Sequence, residues 1–466
     1  MTLSNPTNNA TIKNGATLTA SMTDDNSGPQ KIEFYRCTGN VTCNHGAGSP
    51  TLIGTNSSPM SNPTGDLSIT WNSQPADGTY TLFAKGYDNA GNTTDSSSVV
   101  VTVDNTAPTF TSAALSSPSP AANLYLGSIT GLNSSTASGN LYYKGNNGSG
   151  SSFNLQVGLA DSGGSNLSTY SFPALGGTTT GWTHTAQTNT STSGTSATVT
   201  SANSFSYANN TTSAATETVA VADASGNTGS LALTFTNDTT GPTVSMATPS
   251  GGANVGAGQV LTASTSDSGS GLGSVSYYYC AGAQPTCSSG AGSPTLIGTS
   301  STASSYSVTW SSPPSSGSYK LFAKSTDNVG NSTDSSSITV TLDSTAPTAS
   351  ITTPAASQTY SPSTLSNLTT ISGTASDTGG SNLSTVTVKI QSPNGNCWNN
   401  TSHTWASCPV QNAGGGPASW SLSLSSFTSD GDARTRSPPP RRTGQAIPAR
   451  PRARSSTRRL MPRSRR

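Results

Sequence analysis

The chain has 466 residues, of which 31% are hydrophobic and 8% are charged, and it contains 48 glycines and 28 prolines. This length fits about three to five domains. Helix-forming Lys, Glu, Gln and Met are scarce, and no stretch approaches the roughly 18 to 20 apolar residues that a membrane-spanning helix needs. Composition therefore argues against a helical fold and predicts no membrane span in this chain.

The net charge of +1 averages two very different parts of the chain. Residues 1–432 contain eight basic and 19 acidic residues, a net charge of −11, whereas residues 433–466 contain 12 arginines and no acidic residue. A long acidic part that is rich in Ser and Thr is typical of a soluble surface that resists non-specific association.

One phrase occurs twice, 239 positions apart. It reads GTYTLFAKGYDNAGNTTDSSSVVVTVDNTAP up to Pro108 and GSYKLFAKSTDNVGNSTDSSSITVTLDSTAP up to Pro347. A third junction of the same form, DTTGP, ends at Pro242. Because each proline blocks further ladder pairing and stiffens the exit from a strand, the three junctions predict short links between domains.

These links divide the chain into four domains and a tail. Domains 1 and 3 match closely, since both contain GAGSPTLIGT and a strand that ends in Trp, whereas domains 2 and 4 share the phrase SGGSNLST or TGGSNLST. The predicted boundaries are 1–107 for domain 1, 108–241 for the longer domain 2, 242–347 for domain 3, 348–432 for domain 4 and 433–466 for a disordered Arg-rich tail.

Within each domain, segments of about five to eight residues alternate polar and apolar side chains between clusters of turn residues. At about 100 residues per domain, this rhythm predicts an immunoglobulin-like β-sandwich of about seven strands. The predicted fold class is all-β, a tandem array of such sandwiches stacked end to end as a rod. In GTYTLFAKGYD, Leu82 and Phe83 fall on opposite faces, and the pattern leaves open which face is buried.

The phrase GTYTLFAKGYDNAGN…VDNTAPT resembles the repeated immunoglobulin-like domains of large bacterial surface and secreted proteins. The resemblance covers domains 1 and 3 throughout, domain 2 mainly at its end and domain 4 mainly at its start. It implies a structural or adhesive repeat region, since many such proteins are adhesins or surface-layer components. It also implies Ca²⁺ near the domain links, as in related bacterial rods.

Six cysteines fall as three local pairs. In domains 1 and 3 each pair joins two strands of a predicted hairpin, which brings the two Cβ atoms near bridging distance. We expect disulfides, consistent with export to an oxidising compartment; the alternative is buried free thiols. Zinc is disfavoured because His45, near Cys43, has no counterpart in domain 3. The pairs are Cys37 with Cys43, Cys280 with Cys287, and Cys397 with Cys408.

Aspartates recur at corresponding places. Some begin D-x-x-G-N turns and others end the last strand at a link; a further set, Asp161, Asp267 and Asp377, begins D-x-G turns. Carboxylates and carbonyls in tight turns suit Ca²⁺, which takes six to eight oxygens, here with weak affinity of about 10⁻⁴ to 10⁻³ M. The alternative is that each Asp hydrogen-bonds its own turn. The candidate Ca²⁺ ligands are Asp88, Asp104, Asp223, Asp238, Asp327 and Asp343.

No catalytic arrangement emerges, and we predict that the chain is not an enzyme and requires no cofactor. A nucleophilic triad requires Ser, His and Asp to be held together. The three histidines lie in different domains, and none of them lies in a sequence motif that would supply such partners. In domain 4, the segment CWNNTSHTWASC places Trp398, His403 and Trp405 on a loop between two cysteines. It is the candidate ligand-binding loop.

The C-terminal end of the chain departs from the repeat. After Gly431 the repeat predicts a phrase like TYTL…DNAGN, but the chain continues DARTRSPPPRRTG. Sudden Arg, Pro and Ala excess is typical of a shifted reading frame; the alternatives are a basic arm for nucleic acid or an acidic surface, and a plain disordered tail. Because no aromatics lie among the arginines, we expect no nucleic acid.

The first residues resemble the start of domain 3 and carry no signal peptide. We therefore expect Met1 to be internal to a longer chain, and domain 4 to be incomplete and the least stable. The sequence predicts a non-catalytic spacer or stalk, extracellular or on the bacterial cell surface, with a host or neighbouring surface protein or glycan as partner. The alternative is an accessory carbohydrate-binding or spacer region of a secreted glycan-active enzyme.

Overall fold

The computed structural model is built almost entirely of strands, which confirms the all-β fold class. Within the described residues, two short 3-10 helices occur, at Ala121–Asn123 and Leu365–Asn367, and no helix is both long and apolar enough to cross a bilayer. The structure describes residues 1–59, 64–303, 305–361, 363–379, 383–392, 394–408, 411–412 and 419–430.

The chain forms two compact units. The first consists of Met1–Pro242 with two loops of domain 3, Asp267–Gly273 and Thr326–Ser332. The second begins at Thr243 and contains the remainder of domain 3 and domain 4.

Domain 1 is a sandwich of two sheets. Its strands are β1 (Thr2–Asn5), β2 (Ala10–Ile12), β3 (Ala16–Thr23), β4 (Pro29–Thr38), β5 (Thr51–Asn56), β6 (Thr64–Trp71), β7 (Gly78–Asp88), β8 (Thr93–Asp95) and β9 (Val99–Val103). One sheet has the order β1-β3-β6 and the other β2-β9-β7-β4-β5, with β8 paired to β7. Strands β2 and β9 are parallel, and Leu18, Trp71 and Leu82 are buried in the core.

Strand β7 is buried on both faces. Tyr80, Leu82 and Ala84 join the main core, while Phe83, 0% exposed on the other face, packs with Cys37 and Cys43. The alternating pattern left open which face of β7 is buried, and the structure shows that both faces are. A disulfide loop covers what would otherwise be the solvent face.

Domain 2 has the same two-layer design with more strands. Its strands are β10 (Thr109–Ser119), β11 (Leu124–Leu126), β12 (Thr136–Tyr143), β13 (Ser151–Ala160), β14 (Leu167–Phe172), β15 (Gly176–Gly177), β16 (Trp182–Thr183), β17 (Gln187–Ser191), β18 (Ser196–Thr200), β19 (Phe205–Tyr207), β20 (Ala215–Asp223) and β21 (Thr228–Asn237). The sheets run β10-β13-β19-β16, with β18 on β13, and β11-β12-β21-β20-β14-β17, with β15 on β20.

Domain 3 repeats the topology of domain 1. Its strands are β22 (Thr243–Thr248), β23 (Asn254–Val255), β24 (Gln259–Ser266), β25 (Leu272–Ala281), β26 (Thr295–Ser300), β27 (Val308–Trp310), β28 (Gly317–Asp327), β29 (Ser332–Asp334) and β30 (Ile338–Leu342). The sheet orders are β22-β24-β27 and β23-β30-β28-β25-β26, with β29 on β28. The near-identical phrases of the two domains thus form the same strands.

Domain 4 is described only in part. Its strands are β31 (Thr348–Thr353), β32 (Thr370–Ser376), β33 (Thr387–Val388), β34 (Cys397–Asn399), β35 (Thr404–Ala406), β36 (Gln411–Asn412) and β37 (Trp420–Ser423). They pair as β31-β32-β37, β33-β36 and β34-β35. The predicted disordered tail, 433–466, and the departure from the repeat after Gly431 lie outside the described residues.

Each predicted domain contains its own hydrophobic cluster. The buried members run from Leu3 to Val103, from Phe110 to Phe235, from Val255 to Leu342, and from Leu368 to Leu424. Two smaller clusters lie around the disulfides of domains 1 and 3, and the division of the chain into four domains with boundaries at the link prolines stays a prediction.

Candidate cation sites

Three buried carboxylates meet where the last strand of domain 1 leads into domain 2. Asp104 follows β9, Asp161 follows β13 and Asp223 ends β20. One carboxylate oxygen of each lies within 4.8 Å of the others. The three residues are 0%, 5% and 3% exposed, so their side chains have left bulk water.

Local hydrogen bonds hold this first site together. The backbone N–H of Asp104 donates to the carbonyl oxygen of Ile12 at 2.9 Å, and its Oδ2 accepts from the N–H of Ser165 at 2.9 Å. Asn227 ends the D-x-x-G-N turn: its N–H donates to Asp223 Oδ1 at 2.8 Å, and its Nδ2 donates to the carbonyl oxygen of Asp104 at 2.9 Å. The turn motif therefore binds both its own aspartate and the link.

A second site repeats the first. Asp238, Asp267 and Asp327 also place one carboxylate oxygen each within 4.8 Å of the others, and all three belong to the first compact unit. Asp238 Oδ2 accepts from the N–H of Ser270 at 2.7 Å. Asn331 Nδ2 donates to the carbonyl oxygen of Asp238 at 2.9 Å and to Asp327 Oδ2 at 2.7 Å. The two sites therefore share the same arrangement of aspartates and hydrogen bonds.

Both sites contain buried oxygens that no described protein group satisfies. These are Asp161 Oδ2 and Ser165 Oγ at the first site and Ser270 Oγ at the second. Ser165 is 6% and Ser270 4% exposed. An unsatisfied buried polar group costs about 1–3 kcal/mol, so these oxygens leave room for a cation, although Asp223, Asp267 and Asp327 also accept hydrogen bonds from their own turns.

A lysine accompanies each site. Lys13 Nζ donates to the carbonyl oxygen of Gly226, and Lys144 Nζ donates to that of Gly330 at 3.0 Å. Each glycine belongs to the D-x-x-G-N turn that carries one aspartate of the site. The lysine comes in both cases from the preceding domain, so it adds a second link to the same turn.

One aspartate at each site has a raised pKa. Burial raises the pKa of Asp161, and the neighbouring Asp104 and Asp223 raise it further. Burial likewise raises the pKa of Asp327, opposed by hydrogen bonds from Asn331. A divalent cation among three carboxylates would reverse this effect, because it favours the charged form of each.

The ligand set indicates which cation fits. Both groups consist of aspartate alone, so each offers hard oxygen ligands without nitrogen or sulfur. Such sets suit Ca²⁺ or Mg²⁺, and Ca²⁺ accepts the less regular geometry of turns and carbonyls. The residues present therefore fit Ca²⁺.

The two groups contain four of the six aspartates expected as ligands, joined by Asp161 and Asp267 from the D-x-G turns. Each group combines the last aspartate of one domain with two aspartates of the following domain, so the ligands come from segments far apart in the sequence. Sequence reasoning noted all six of these residues but did not assign them to two groups.

Asp88 and Asp343 belong to neither group. The carboxylate of Asp88 accepts from Asn92 N–H and Nδ2, both at 2.7 Å, and the Asn92 amide lowers the pKa of Asp88. The turn alternative thus describes Asp88. Asp343 Oδ1 accepts from the N–H of Thr345 at 2.9 Å, and Gly379 of domain 4 lies against its carboxylate.

The three expected disulfides are present, and no cysteine is free. The disulfide loops of domains 1 and 3 cover a stacked aromatic pair, Tyr35 on Phe83 and Tyr278 on Phe322, with ring centroids 5.1 and 5.0 Å apart. Each loop thereby closes a small second core on the outer face of its sheet.

His45 of domain 1 and Ser289 of domain 3 lie at equivalent positions, two residues after the second cysteine of each pair. The N–H of His45 donates to Asp95 Oδ2 at 2.8 Å, and the N–H of Ser289 donates to Asp334 Oδ2 at 2.7 Å. The backbone makes the contact in both domains, so the side chain is free to differ.

The candidate ligand-binding loop of domain 4 is built around a core residue. Trp398 is 0% exposed and packs against Trp405 and Phe427, with centroids 5.7 and 5.2 Å away. This corrects the expectation that Trp398 faces a ligand, because a ring without exposed surface cannot stack on one. Trp405 is half-buried, and exposed His403 Nε2 lies 2.6 Å from Ser425 Oγ.

Three segments match family models of bacterial immunoglobulin domains. Residues 51–105 match a bacterial Ig-like domain, 242–323 a bacterial Ig domain, and 304–396 a bacterial Ig-like domain of group 3. The chain therefore carries bacterial immunoglobulin-like repeat domains, which are generally non-catalytic. No curated protein matches the sequence.

Solved structures of low sequence identity resemble the chain. A tetra-tandem repeat from the extending region of a large adhesion protein is 18% identical, with 90% of this chain and 92% of that chain covered and a TM-score of 0.24. A structure concerning host cell surface retention of a 1.5-MDa bacterial ice-binding adhesin is 17% identical, covering 72% and 94%, with a TM-score of 0.22.

A third structure is SGBP-B of the Bacteroides ovatus mixed-linkage glucan utilization locus, in complex with a heptasaccharide. It is 16% identical, covering 91% of this chain and 89% of that chain, with a TM-score of 0.14. All three identities are low, and the family matches alone identify the domains.

Proposed function

We propose that this structural repeat region is a spacer or stalk of a bacterial cell-surface or secreted protein, and that Ca²⁺ stiffens its links. The observation that carries the proposal is the duplicated site. At each one, the aspartate that ends a domain meets two aspartates of the next, with buried oxygens left for a cation. A cation site that is repeated at successive links supports a role in spacing, which requires no catalytic reaction.

The cysteines support an extracellular or cell-surface location. All six are paired within short loops, and such bonds persist in oxidising compartments. Millimolar Ca²⁺ outside cells matches the weak affinity that three carboxylates per site provide. We infer an extracellular or cell-surface setting, in which loops at domain ends would contact a host or neighbouring surface protein or glycan.

Thermal unfolding of the full chain in about 10 mM CaCl₂ and in chelator tests the cation sites. With a dissociation constant near 10⁻⁴ M, each site adds about 2.7 kcal/mol to the stability of the residues it joins. We expect a higher Tm in Ca²⁺, and loss of that gain in the double variant Asp104→Asn with Asp238→Asn.

The matched control removes the same two charges elsewhere. Asp25 and Asp66 are exposed, and Asp25→Asn with Asp66→Asn should keep the full Ca²⁺ response. An unchanged Tm up to several millimolar Ca²⁺ in the unaltered chain would refute the cation sites. Small-angle scattering separately tests the spacer, which predicts a larger maximum dimension in Ca²⁺ than in chelator; a compact particle in both conditions would end that part of the proposal.

A further inference from the structure

The core of domain 2 contains a glutamate. Along β20 every second residue is buried, and Glu217 takes one of these positions, between Ala215 and Val219. It is 1% exposed. Its register partner on β21 is Leu233, itself 1% exposed, so the carboxyl group lies among apolar side chains.

The carboxyl group of Glu217 is not hydrogen-bonded by any residue that the structure describes. Neither Oε1 nor Oε2 of Glu217 has a hydrogen-bond donor among the described residues. The chain's other glutamate, Glu33 of domain 1, shows the contrast. It forms an ion pair with Lys31 at 2.6 Å and accepts from the hydroxyl groups of Tyr35 and Tyr87 at 2.6 and 2.8 Å.

We propose that Glu217 folds into the core as the neutral acid and makes domain 2 a pH-sensitive element, whose β20 opens more readily as the medium becomes alkaline. An isolated carboxylate in an apolar interior is far more costly than the neutral acid. The proton therefore stays on Glu217 while the domain is folded and leaves when β20 opens.

The sign of the pH dependence follows from the two states. Burial raises the pKa of Glu217 to about 8 in the folded domain, from 4.5 in an exposed glutamate. The folded state thus holds an extra proton between these values. The associated stability is fully present below pH 4.5 and is lost as the pH rises to about 8, by up to about tenfold in the folding equilibrium constant per pH unit.

Domain 2 contains other titratable side chains, whose contributions have to be separated from that of Glu217. Burial raises the pKa of Tyr143 and Tyr207 above 10, outside the window. Burial lowers the pKa of His184, which makes stability rise with pH below 6.5. Strand β14 adds Tyr170, and β20 itself ends at Asp223. Strands β15 and β21 carry no ionisable side chain.

Carbon-13 labelling of glutamate tests the proposal directly. Since the chain contains two glutamates, the carboxyl carbons of the full chain give two signals, which the variant Glu33→Gln assigns. We expect the Glu217 signal to titrate near pH 8 and the Glu33 signal below its ordinary value, because hydrogen bonds from Lys31 and tyrosines outweigh desolvation. A Glu217 signal that titrates below about pH 5.5 overturns the proposal.

Hydrogen exchange of β20 peptides measures how readily the strand opens. It is recorded both in chelator and in saturating Ca²⁺, so that the contribution of Asp161 can be separated from that of Glu217. In the unaltered chain, the opening constant of β20 should rise by more than about 100-fold between pH 5 and 8, after correction for intrinsic exchange. In Glu217→Gln it should stay constant within about threefold. Equal pH profiles in the two proteins contradict the proposal.

Discussion

At the scale of single residues, one glycine in each D-x-G turn leaves space for the carboxylate of the preceding domain. In each D-x-G turn an added Cβ would collide with the aspartate of the preceding domain: Gly163 with Asp104 Oδ1, Gly269 with Asp238 Oδ2, and Gly379 with Asp343 Oδ1. Each approach would be closer than 3.0 Å, which real Cβ atoms essentially never show. The absent side chain lets the turn reach the carboxylate.

Gly269→Ala is therefore expected to displace Asp238 and weaken cation binding at the second site at least about tenfold. The control is Gly290→Ala in the same domain, where an added Cβ meets nothing within 4 Å. Isothermal calorimetry with CaCl₂ measures both. Equal affinity in the two variants would show that the turn is not part of the site.

Ca²⁺ stabilisation should depend on pH through Asp161 and Asp327. Their folded pKa values are raised by burial and by neighbouring carboxylates. Without a cation, the stability from these groups is complete below pH 3.8 and is lost as the pH rises through the folded pKa. Ca²⁺ binds the deprotonated form, so the Tm difference between Ca²⁺ and chelator should be larger at about pH 7.5 than at about pH 4.5. The reverse order would argue against these ligands.

At the scale of structural elements, the disulfide loops of domains 1 and 3 cover the outer face of a strand that is already buried on its inner face. Phe322 is 0% exposed beneath the Cys280 loop. The bond closes a short loop, for which chain entropy gives about 2 kcal/mol. The same arrangement in both domains indicates that the loop is part of the core.

Cys280→Ser with Cys287→Ser should destabilise domain 3 by about 2 kcal/mol in urea and increase hydrogen exchange around Phe322. Domain 1, whose own disulfide is intact, is the internal control and should keep its transition. Unchanged exchange at Phe322 would mean that the loop packs without its disulfide.

The tryptophans of hairpin β34-β35 contribute to the hydrophobic packing of domain 4. Trp398→Ala should cost about 3–5 kcal/mol in the unfolding free energy of domain 4, the range for a buried aromatic truncated to alanine. Trp405→Ala, at a half-buried position, should cost less. Chemical denaturation compares the two, and an equal or larger effect at Trp405 would contradict this assignment of the core.

At the scale of the whole molecule, the links differ in how many aspartates they bring together among the described residues, and the stoichiometry of Ca²⁺ binding tests whether this difference matters. The first two links each unite three aspartates. At the third, Asp343 meets the D-x-G turn through Gly379, but the sequence after Gly431 contains no D-x-x-G-N turn to supply a third aspartate. We expect two Ca²⁺ per chain in calorimetry of the full protein. A stoichiometry of three would show that two aspartates are enough.

Much of the architecture was predictable because it depends on residues that are close together in the sequence. The paired phrases predicted equivalent strands, and β7 with β9 and β28 with β30 form the same pairings. Cysteines seven or eleven positions apart bridged as short spacing predicts. The site was only partly predictable, because the partners of Asp104 lie 57 and 119 positions away and join it through folding.

What the sequence determined by itself is therefore the repeated sandwich, since alternation, turn residues and proline act over a few neighbouring positions. Tertiary structure alone decided that three aspartates from two domains lie together, that Phe83 and Trp398 are buried, and that Glu217 is buried without a hydrogen-bond donor among the described residues. Each of these depends on which distant surfaces meet. Burial and proximity are properties of the folded chain, because solvent exclusion and Coulomb interactions act through space between residues remote in sequence.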